Sequence, residues 1–325
     1  MRDKIVKLML DNKEDFISGE EISKQLGISR TAIWKHINTL KENGYNIEAV
    51  NRKGYRLVEN PDDILNYANI SHGLNTKFVG NEIIHLNTIN STNTYAKTIA
   101  EEKENGVVII SEEQTMGRGR IGRQWKSNKG EGIWMSIILK PNIKPTKAPF
   151  ITLIAGASIT KALNNIGIDT KIKWPNDIII NNKKIAGILT ELSSEIDMIN
   201  YVVVGIGINV KTLEFDDEIR NIATSIYKEG YDNSRVDIVR NILQEFEYFY
   251  SKYIENDDND EVIEVCKKYS AIIDKQIYII NNDERELVKC IDLNKEGNLI
   301  IETSDKEIRE IISGEVSIRG VKGYV

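Results

Sequence analysis

The residues best suited to chemistry lie in Gln114-Thr115-Met116-Gly117-Arg118-Gly119-Arg120-Ile121-Gly122-Arg123-Gln124-Trp125, where three arginines alternate with three glycines. Guanidinium groups offer fixed, bidentate donors to phosphate or carboxylate, and glycines let backbone approach a ligand, so the segment reads as an anion clamp. A solvated basic loop is the plainer reading of the same residues. Gly117, Gly119 and Gly122 also satisfy the G-x-G-x-x-G spacing of dinucleotide-binding turns. That reading is rejected, because such a turn opens at once into a helix, and Arg123 to Gly130 carries no helical apolar repeat.

Three further segments carry polar groups at strand or helix ends. Lys171-Ile172-Lys173-Trp174-Pro175-Asn176-Asp177 runs into a hairpin that returns with Lys183 and Lys184. A carboxylate and an ammonium across a tight turn can face one pocket, and an ordinary surface hairpin has the same spacing. Asn90-Ser91-Thr92-Asn93-Thr94 opens a helix, where on this segment alone its hydroxyls read as caps before they read as ligand contacts. Gly205-Ile206-Gly207-Ile208-Asn209 puts small residues where a strand must admit something close, or where sheets pack. Only His36, His72 and His85 exist, none in a nucleophile motif, and no Walker lysine loop is present. A Ser/His/Asp hydrolase is therefore excluded. What remains is a cation-rich site with hydroxyl and amide groups, suited to bringing two anions together, such as a carboxylate substrate and a nucleotide.

The elements around these segments divide the chain. Apolar positions Ile5 to Leu10 predict a first helix; Ser18 with Glu21 gives a capping box; Gly27 ends the second helix, and Ser29 caps the third. From Arg30, residues Ile33, Ile37 and Leu40 recur at helical spacing, leaving Arg30, Thr31, Trp34, Lys35 and Asn38 outward. Tyr45 to Ile47 and Asn51 to Leu57 follow as two short strands around a basic turn. Residues 1–60 thus read as a winged helix-turn-helix with Gly19 to Asn38 facing DNA, although such units also mediate protein contacts. Asn60-Pro61-Asp62-Asp63 starts a linker, taken as 61–75. Residues 76–270 alternate strands and helices, among them Val107 to Ile110, Gly132 to Leu139, Pro149 to Asn164 and Asp237 to Ile254. Asn181-Asn182 marks a two-residue hairpin turn. Residues 271–325 read as short strands with turns at Asn281-Asn282-Asp283 and Asn294 to Gly297, a small all-β tail. The class is α/β (α+β).

Composition agrees. At 325 residues the chain holds two or three domains, and 41% hydrophobic residues let it build a core without staples. Two distant cysteines give no zinc spacing and fit a reducing, cytoplasmic setting. No signal-peptide stretch follows Met1, and the most apolar segment, Phe150 to Thr160, is about half of what spans a bilayer. The net charge of −6 argues against a whole-molecule nucleic-acid binder, but residues 1–60 carry eleven Lys/Arg against nine Asp/Glu.

The order of Gly117 to Trp125, Lys173 to Asp177, Lys184-Ile185-Ala186-Gly187-Ile188-Leu189 and Gly205 to Asn209 resembles that of the biotin protein ligases. With the helix-turn-helix and Ser313-Gly314-Glu315-Val316-Ser317-Ile318-Arg319, the chain looks like the bifunctional members that also repress the biotin operon. The resemblance covers essentially the whole length. It implies a central mixed-sheet ligase domain and a C-terminal SH3-like β-barrel. It also implies activation of biotin by ATP to biotinyl-5′-AMP, with Mg²⁺ accompanying the nucleotide, and transfer to a lysine of a carboxylase carrier domain. By motif, Ser91, Thr92, Asn93 and Gln114 would meet the ureido ring, and Arg118, Gly119, Arg120 and Lys184 the carboxylate side. Arg120, Arg123 and Asn209 would meet the nucleotide. Arg120 and Lys184 would be catalytic, with Asp177 helping to deprotonate the incoming lysine. No tryptophan follows Trp174, so an aliphatic or phenylalanine lid, from Phe215 or Ile222 to Ile226, would cover adenine. The partners implied are a biotin carboxyl carrier protein, operator DNA and a second subunit when loaded with biotinyl-AMP, with no membrane. A catalytically inactive biotin sensor and a lipoate-type ligase are the competing functions.

Overall fold

A computed structural model describes residues 1–12, 15–42, 45–58, 63–281, 284–313, 316–321 and 323–325. Asn60, Pro61 and Asp62 of the expected linker start, Asn282-Asp283, and Gly314-Glu315 lie outside the described residues.

Helices α1 (Arg2–Asp11), α2 (Gly19–Leu26) and α3 (Arg30–Glu42) bury Ile5, Val6, Ile22, Ile33 and Ile37 in one small core. Ser18 Oγ accepts from the Glu21 amide, and Gly27 ends α2 in the left-handed region at φ 67°. The hairpin of β1 (Ile47–Val50) and β2 (Gly54–Leu57) is antiparallel, with Arg52 at φ 66° in its turn. The first strand therefore starts at Ile47, where the sequence reading had it end. Tyr45 is buried ahead of the strand, which accounts for its apolar signal.

The stretch expected as linker is packed from Asp63 onward. Helix α4 (Tyr67–Ser71), capped by Asn66, places Ala68 in the head core and Ile70 in the central one. Asp63 accepts from the Arg235 backbone amide and forms ion pairs with Arg235 and Lys211.

A seven-stranded mixed sheet forms the centre. Its strands are β3 (Ile83–Leu86), β4 (Val107–Ser111), β5 (Gly132–Leu139), β6 (Lys171–Lys173), β7 (Asp177–Ile180), β8 (Lys183–Ser194) and β9 (Ile199–Asn209), in the order β3-β4-β5-β9-β8-β7-β6. Only β3 and β4 run parallel among these pairs. Helix α5 (Thr92–Ile99) packs Ala96 against Val107, Ile109, Ile138 and Val203 on one face. Helices α6 (Phe150–Asn165) and α7 (Arg235–Asn256) cover the other face, and α8 (Asp260–Lys268) follows. Because β5 is covered on both sides it is apolar throughout apart from Ser136. Asn181 and Asn182 both take positive φ, 47° and 63°, in the β7–β8 turn.

The C-terminal unit is a five-stranded antiparallel sheet of β10 (Gln276–Asn281), β11 (Glu284–Leu293), β12 (Leu299–Glu302), β13 (Ile308–Ile311) and β14 (Ser317–Gly320), ordered β13-β12-β11-β10-β14. The Trp174 indole donates to the Gly297 carbonyl at 2.9 Å, tying the β12 turn to the segment between β6 and β7. No described helix is long and apolar enough to cross a membrane.

Candidate active site

One cavity of about 230 Å³ opens over the middle of the central sheet. Ser91, Thr92, Asn93, Gln114, Arg118, Gly119, Arg120, Arg123, Asp177, Lys184 and Asn209 all line it. Segments far apart in sequence meet there because β4, β5, β9, β8 and β7 are neighbours in the sheet, and the antiparallel pairing brings the ends of β4 and β9 to one edge with the starts of β5 and β8.

At one end, hydroxyl and amide groups lock one another. Thr92 donates from its amide (2.8 Å) and its hydroxyl (3.1 Å) to Gln114 Oε1, while Gln114 Nε2 donates to Ser127 Oγ. Ser136, the lone hydroxyl in the apolar β5 strand, donates to Asn93 Oδ1 at 2.6 Å and lies 2.8 Å from Thr92 Oγ1. Asn93 Nδ2 reaches the Leu189 carbonyl and Glu191, whose carboxylate also pairs with Lys97 and Arg118. Ser91 caps α5 through the Thr94 amide, so capping and cavity lining coexist there. A buried set with donors and acceptors fixed in this way favours a ligand head that is polar on its edges.

The small residues of β8 and β9 make room for the protein's own side chains. A Cβ at Gly205 would lie 2.1 Å from Asn93 Oδ1, and one at Gly207 would lie 2.7 Å from Trp125 Nε1. Trp125 thus lies across the strand floor with the Lys184 ammonium 5.1 Å from its ring centroid. The close approach anticipated at these glycines is made by Asn93 and Trp125.

The arginine loop folds back on itself. The Gly119 amide donates to the Arg123 carbonyl and the Trp125 amide to the Gly117 carbonyl, and a Cβ at Gly117 would lie 2.2 Å from the Trp125 carbonyl oxygen. Ile121 holds φ 54° at the exposed tip, which is rare for a β-branched residue. Arg120 Nη1 donates to Asn176 Oδ1 at 2.7 Å, whereas Arg118 and Arg123 are exposed at the cavity mouth. Lys126 pairs with Asp216, drawing the 211–224 loop over the opening. There the wall is aliphatic, with Ile219, Ile222 and Ala223; Phe215 instead lies beside Lys228. Asn209 donates to the Thr224 carbonyl beneath them.

Asp177 is largely buried. Its Oδ1 lies 2.5 Å from Lys184 Nζ, and its Oδ2 accepts from the Tyr324 hydroxyl. Burial pushes its carboxyl up, but Lys184, the Tyr324 hydroxyl and Lys173 outweigh that and hold it below the usual carboxylate range. A carboxylate hydrogen-bonded by Tyr324, ion-paired with Lys184 and lowered in basicity is a weak proton acceptor, and it lies where it can hold Lys184. Lys173, next to it on β6, is 2% exposed; burial, aided by Arg319, Lys184 and Arg123, pushes its ammonium down to about 7 against the pull of Asp177.

Sequence reasoning gave no role to Ser136, Trp125, Lys173, Glu191 or Tyr324. Ser136 had a signal, a polar residue inside a fully buried strand; Lys173, at the end of a strand that begins with the exposed Lys171, had none. Tyr324 had none.

In the head, Arg30, Thr31, Trp34 and Lys35 are exposed and Asn38 partly so, all on the outer face of α3; Trp34 is 56% exposed. Arg30 is paired with Glu20 of α2, and Arg56 of the wing packs on Phe16.

Residues 85–209 match the biotin/lipoate A/B protein ligase family, residues 2–56 a helix-turn-helix domain, and residues 273–319 the biotin protein ligase C-terminal domain. The chain is 38% identical over 323 residues to the bifunctional ligase/repressor BirA of Bacillus spizizenii, covering 98% of each chain. It is 30% identical over 328 residues to the protein of that name from Escherichia coli, covering 99% of this chain and all of the relative. Among solved structures it is similar to the biotin protein ligase of Aquifex aeolicus in complex with biotin and ATP. That similarity has a TM-score of 0.65 and 30% identity, over 74% of this chain and 99% of the other.

Proposed function

The chain belongs to the bifunctional ligase/repressor branch of the biotin protein ligase family, and from that membership we infer that it joins biotin to protein and represses transcription. It is an ATP-dependent, AMP-forming ligase. A biotin carboxylate oxygen attacks the α-phosphorus of ATP, the bond to the β-phosphate oxygen breaks, and biotinyl-5′-AMP and pyrophosphate result. A lysine amine of a carboxylase carrier domain then attacks the mixed anhydride, losing a proton as AMP leaves.

The obstacle to the first step is repulsion. Two unit anions at 4 Å repel by about 4 kcal/mol at an effective dielectric of 20. Cations between them cancel this and stabilise charge growing on the leaving group, so no protein nucleophile is needed. The observation that carries the reading is that the fixed hydroxyl–amide set, the Arg120 loop and the Lys184–Asp177 pair line one cavity. Ser91, Thr92, Asn93 and Gln114 hold the ureido ring, with Ser136 setting the direction of Asn93. Arg118, Gly119, Arg120 and Lys184 take the carboxylate, Lys184 being placed by Asp177. Arg120, Arg123 and Asn209 take the nucleotide, and the aliphatic wall at Ile219, Ile222 and Ala223 receives adenine.

Mg²⁺ arriving with ATP supplies neutralisation of pyrophosphate charge. Among the described residues no group of three His, Cys, Asp or Glu side chains forms a metal site. Mg²⁺ would accompany the nucleotide in this reading.

The domains divide as 1–60, 76–270 and 271–325. The head reads operator DNA through Arg30, Thr31, Trp34, Lys35 and Asn38 on α3. Unused biotinyl-AMP orders the site loops, two subunits pair, and the dimer presents two recognition helices to a palindromic operator. Acting on a carboxylase carrier and on operator DNA, the protein works in the cytoplasm in this reading.

The test is mass spectrometry of a carrier domain incubated with the protein, ATP and either biotin or lipoate. A mass gain on the carrier lysine with biotin alone is expected, since a site built to hydrogen-bond a ureido ring rejects a ring lacking those groups by roughly 10⁴-fold. Transfer of lipoate in preference to biotin would replace the substrate, and no transfer of either would leave a sensor without catalysis.

A further inference from the structure

Tyr324 follows β14 and is 7% exposed. Its hydroxyl donates to Asp177 Oδ2, on the carboxylate whose other oxygen holds Lys184. The Lys173 ammonium lies 3.4 Å from the centroid of the same ring, and the Arg319 guanidinium carbon 5.6 Å from it. Lys173 Nζ is buried and has no hydrogen-bond partner. β14 pairs with β10, and a Cβ at Gly320 would lie 2.2 Å from the Val325 backbone carbon, so Tyr324 sits beside a residue packed closely on the end of β14. One side chain from the C-terminal sheet thus touches the carboxylate and the unpaired ammonium that face the catalytic cavity.

We propose that Tyr324 is a positioning residue for acid activation: its hydroxyl fixes Asp177, and through it Lys184, while its ring face holds Lys173 where that ammonium has no competing acceptor. The proposal rests on the activation reading above. A carboxylate hydrogen-bonded at one oxygen and ion-paired at the other is restrained against rotation, which fixes where the Lys184 ammonium stands. An ammonium on an aromatic face is stabilised without being neutralised, which leaves its hydrogens free for an incoming anion. The groups facing Asp177 are Lys184, Lys173 and Tyr324; those facing Lys173 are Asp177, Tyr324, Arg319, Lys184 and Arg123.

Two variants separate the parts. Tyr324→Phe keeps the ring and removes the donor from Asp177, so the Asp177 carboxyl rises and the acid limb of the activity profile moves to higher pH. Tyr324→Ala also lets water reach Lys173, whose ammonium then rises from about 7. Biotin-dependent exchange of labelled pyrophosphate into ATP, measured on the full chain across pH, reads both effects. Tyr324→Phe is expected to lower kcat about ten-fold, the loss of one hydrogen bond to a charged group, with KM for biotin little changed. Its acid limb shifts upward. Tyr324→Ala is expected to shift that limb and the neutral limb together. Wild-type rates and limbs in both variants would overturn the proposal, and so would a uniform fall in rate with both limbs in place, the mark of lost packing alone. A wild-type chain silent in exchange would overturn the activation reading and this proposal with it.

Discussion

Arg120 Nη1 donates to Asn176 Oδ1 at 2.7 Å, joining the arginine loop to the turn that leads into β7. Asn176 is 8% exposed, and its amide nitrogen donates to the Ile188 carbonyl on β8, so the acceptor is rigid. The bond aims one guanidinium of a mobile residue type at the same space as Lys184. Asn176→Ala is expected to release Arg120 and lower the rate of adenylate formation about ten-fold while leaving the melting temperature within a few degrees. Steady-state exchange kinetics with thermal melts checks it.

Gly205 borders the end of the cavity proposed to take the biotin ring. A Cβ there would lie 2.1 Å from Asn93 Oδ1, so Gly205→Ala must expel the Asn93 amide from its bond to Ser136. Biotin affinity is expected to fall by about ten-fold or more, with ATP binding retained. Titration calorimetry with each ligand separates the two.

Stability should respond to acid through Glu112. Burial pushes this carboxyl up, but His85 at 3.6 Å, Arg235 at 2.9 Å and the Leu65 amide outweigh it and hold the pKa down at about 2. The folded value lies below the unfolded one. The contribution, about 3 kcal/mol, is therefore whole well above the unfolded value near 4.5 and is lost as pH falls toward the folded value. Glu112→Gln is expected to unfold at lower urea at neutral pH, and its deficit against wild type should be roughly halved by about pH 3. An equal deficit at both pH values would contradict the assignment.

Much of this was legible in the sequence where a residue type is dictated by backbone. Ser18 and Gly27 mark the ends of α2, and Asn181-Asn182 the β7–β8 turn, because few other residues satisfy those positions. The Arg–Gly loop stood out because alternating arginines and glycines suit an anion ligand better than a plain surface loop, whereas the Asn176-Asp177 turn gained its meaning only beside the other segments. Other features left no such trace. Packing of α4 depends on surfaces from two domains that only the fold brings together, so 63–75 read as linker. Tyr324 reaches Asp177 across 147 residues, a contact that no local spacing encodes. The base role of Asp177 is implied by the family resemblance alone, and its contact with Tyr324 has no local sequence signal.

On the head, Lys35 is exposed on α3 and has the character of a phosphate contact. Lys35→Ala is expected to weaken operator binding and to reduce the salt slope of log affinity by about one. In gel shifts the wild-type chain should need biotin and ATP for full operator affinity. Full affinity without them would break the coupling between adenylate and dimer.

Pyrophosphate exchange in Lys184→Ala and Arg120→Ala addresses the shared cation pocket most directly. Wild type should exchange label into ATP only with biotin present, and each variant should exchange about 10² to 10³ times more slowly, the usual cost of one group stabilising transition-state charge. Wild-type exchange rates in both variants would contradict the account.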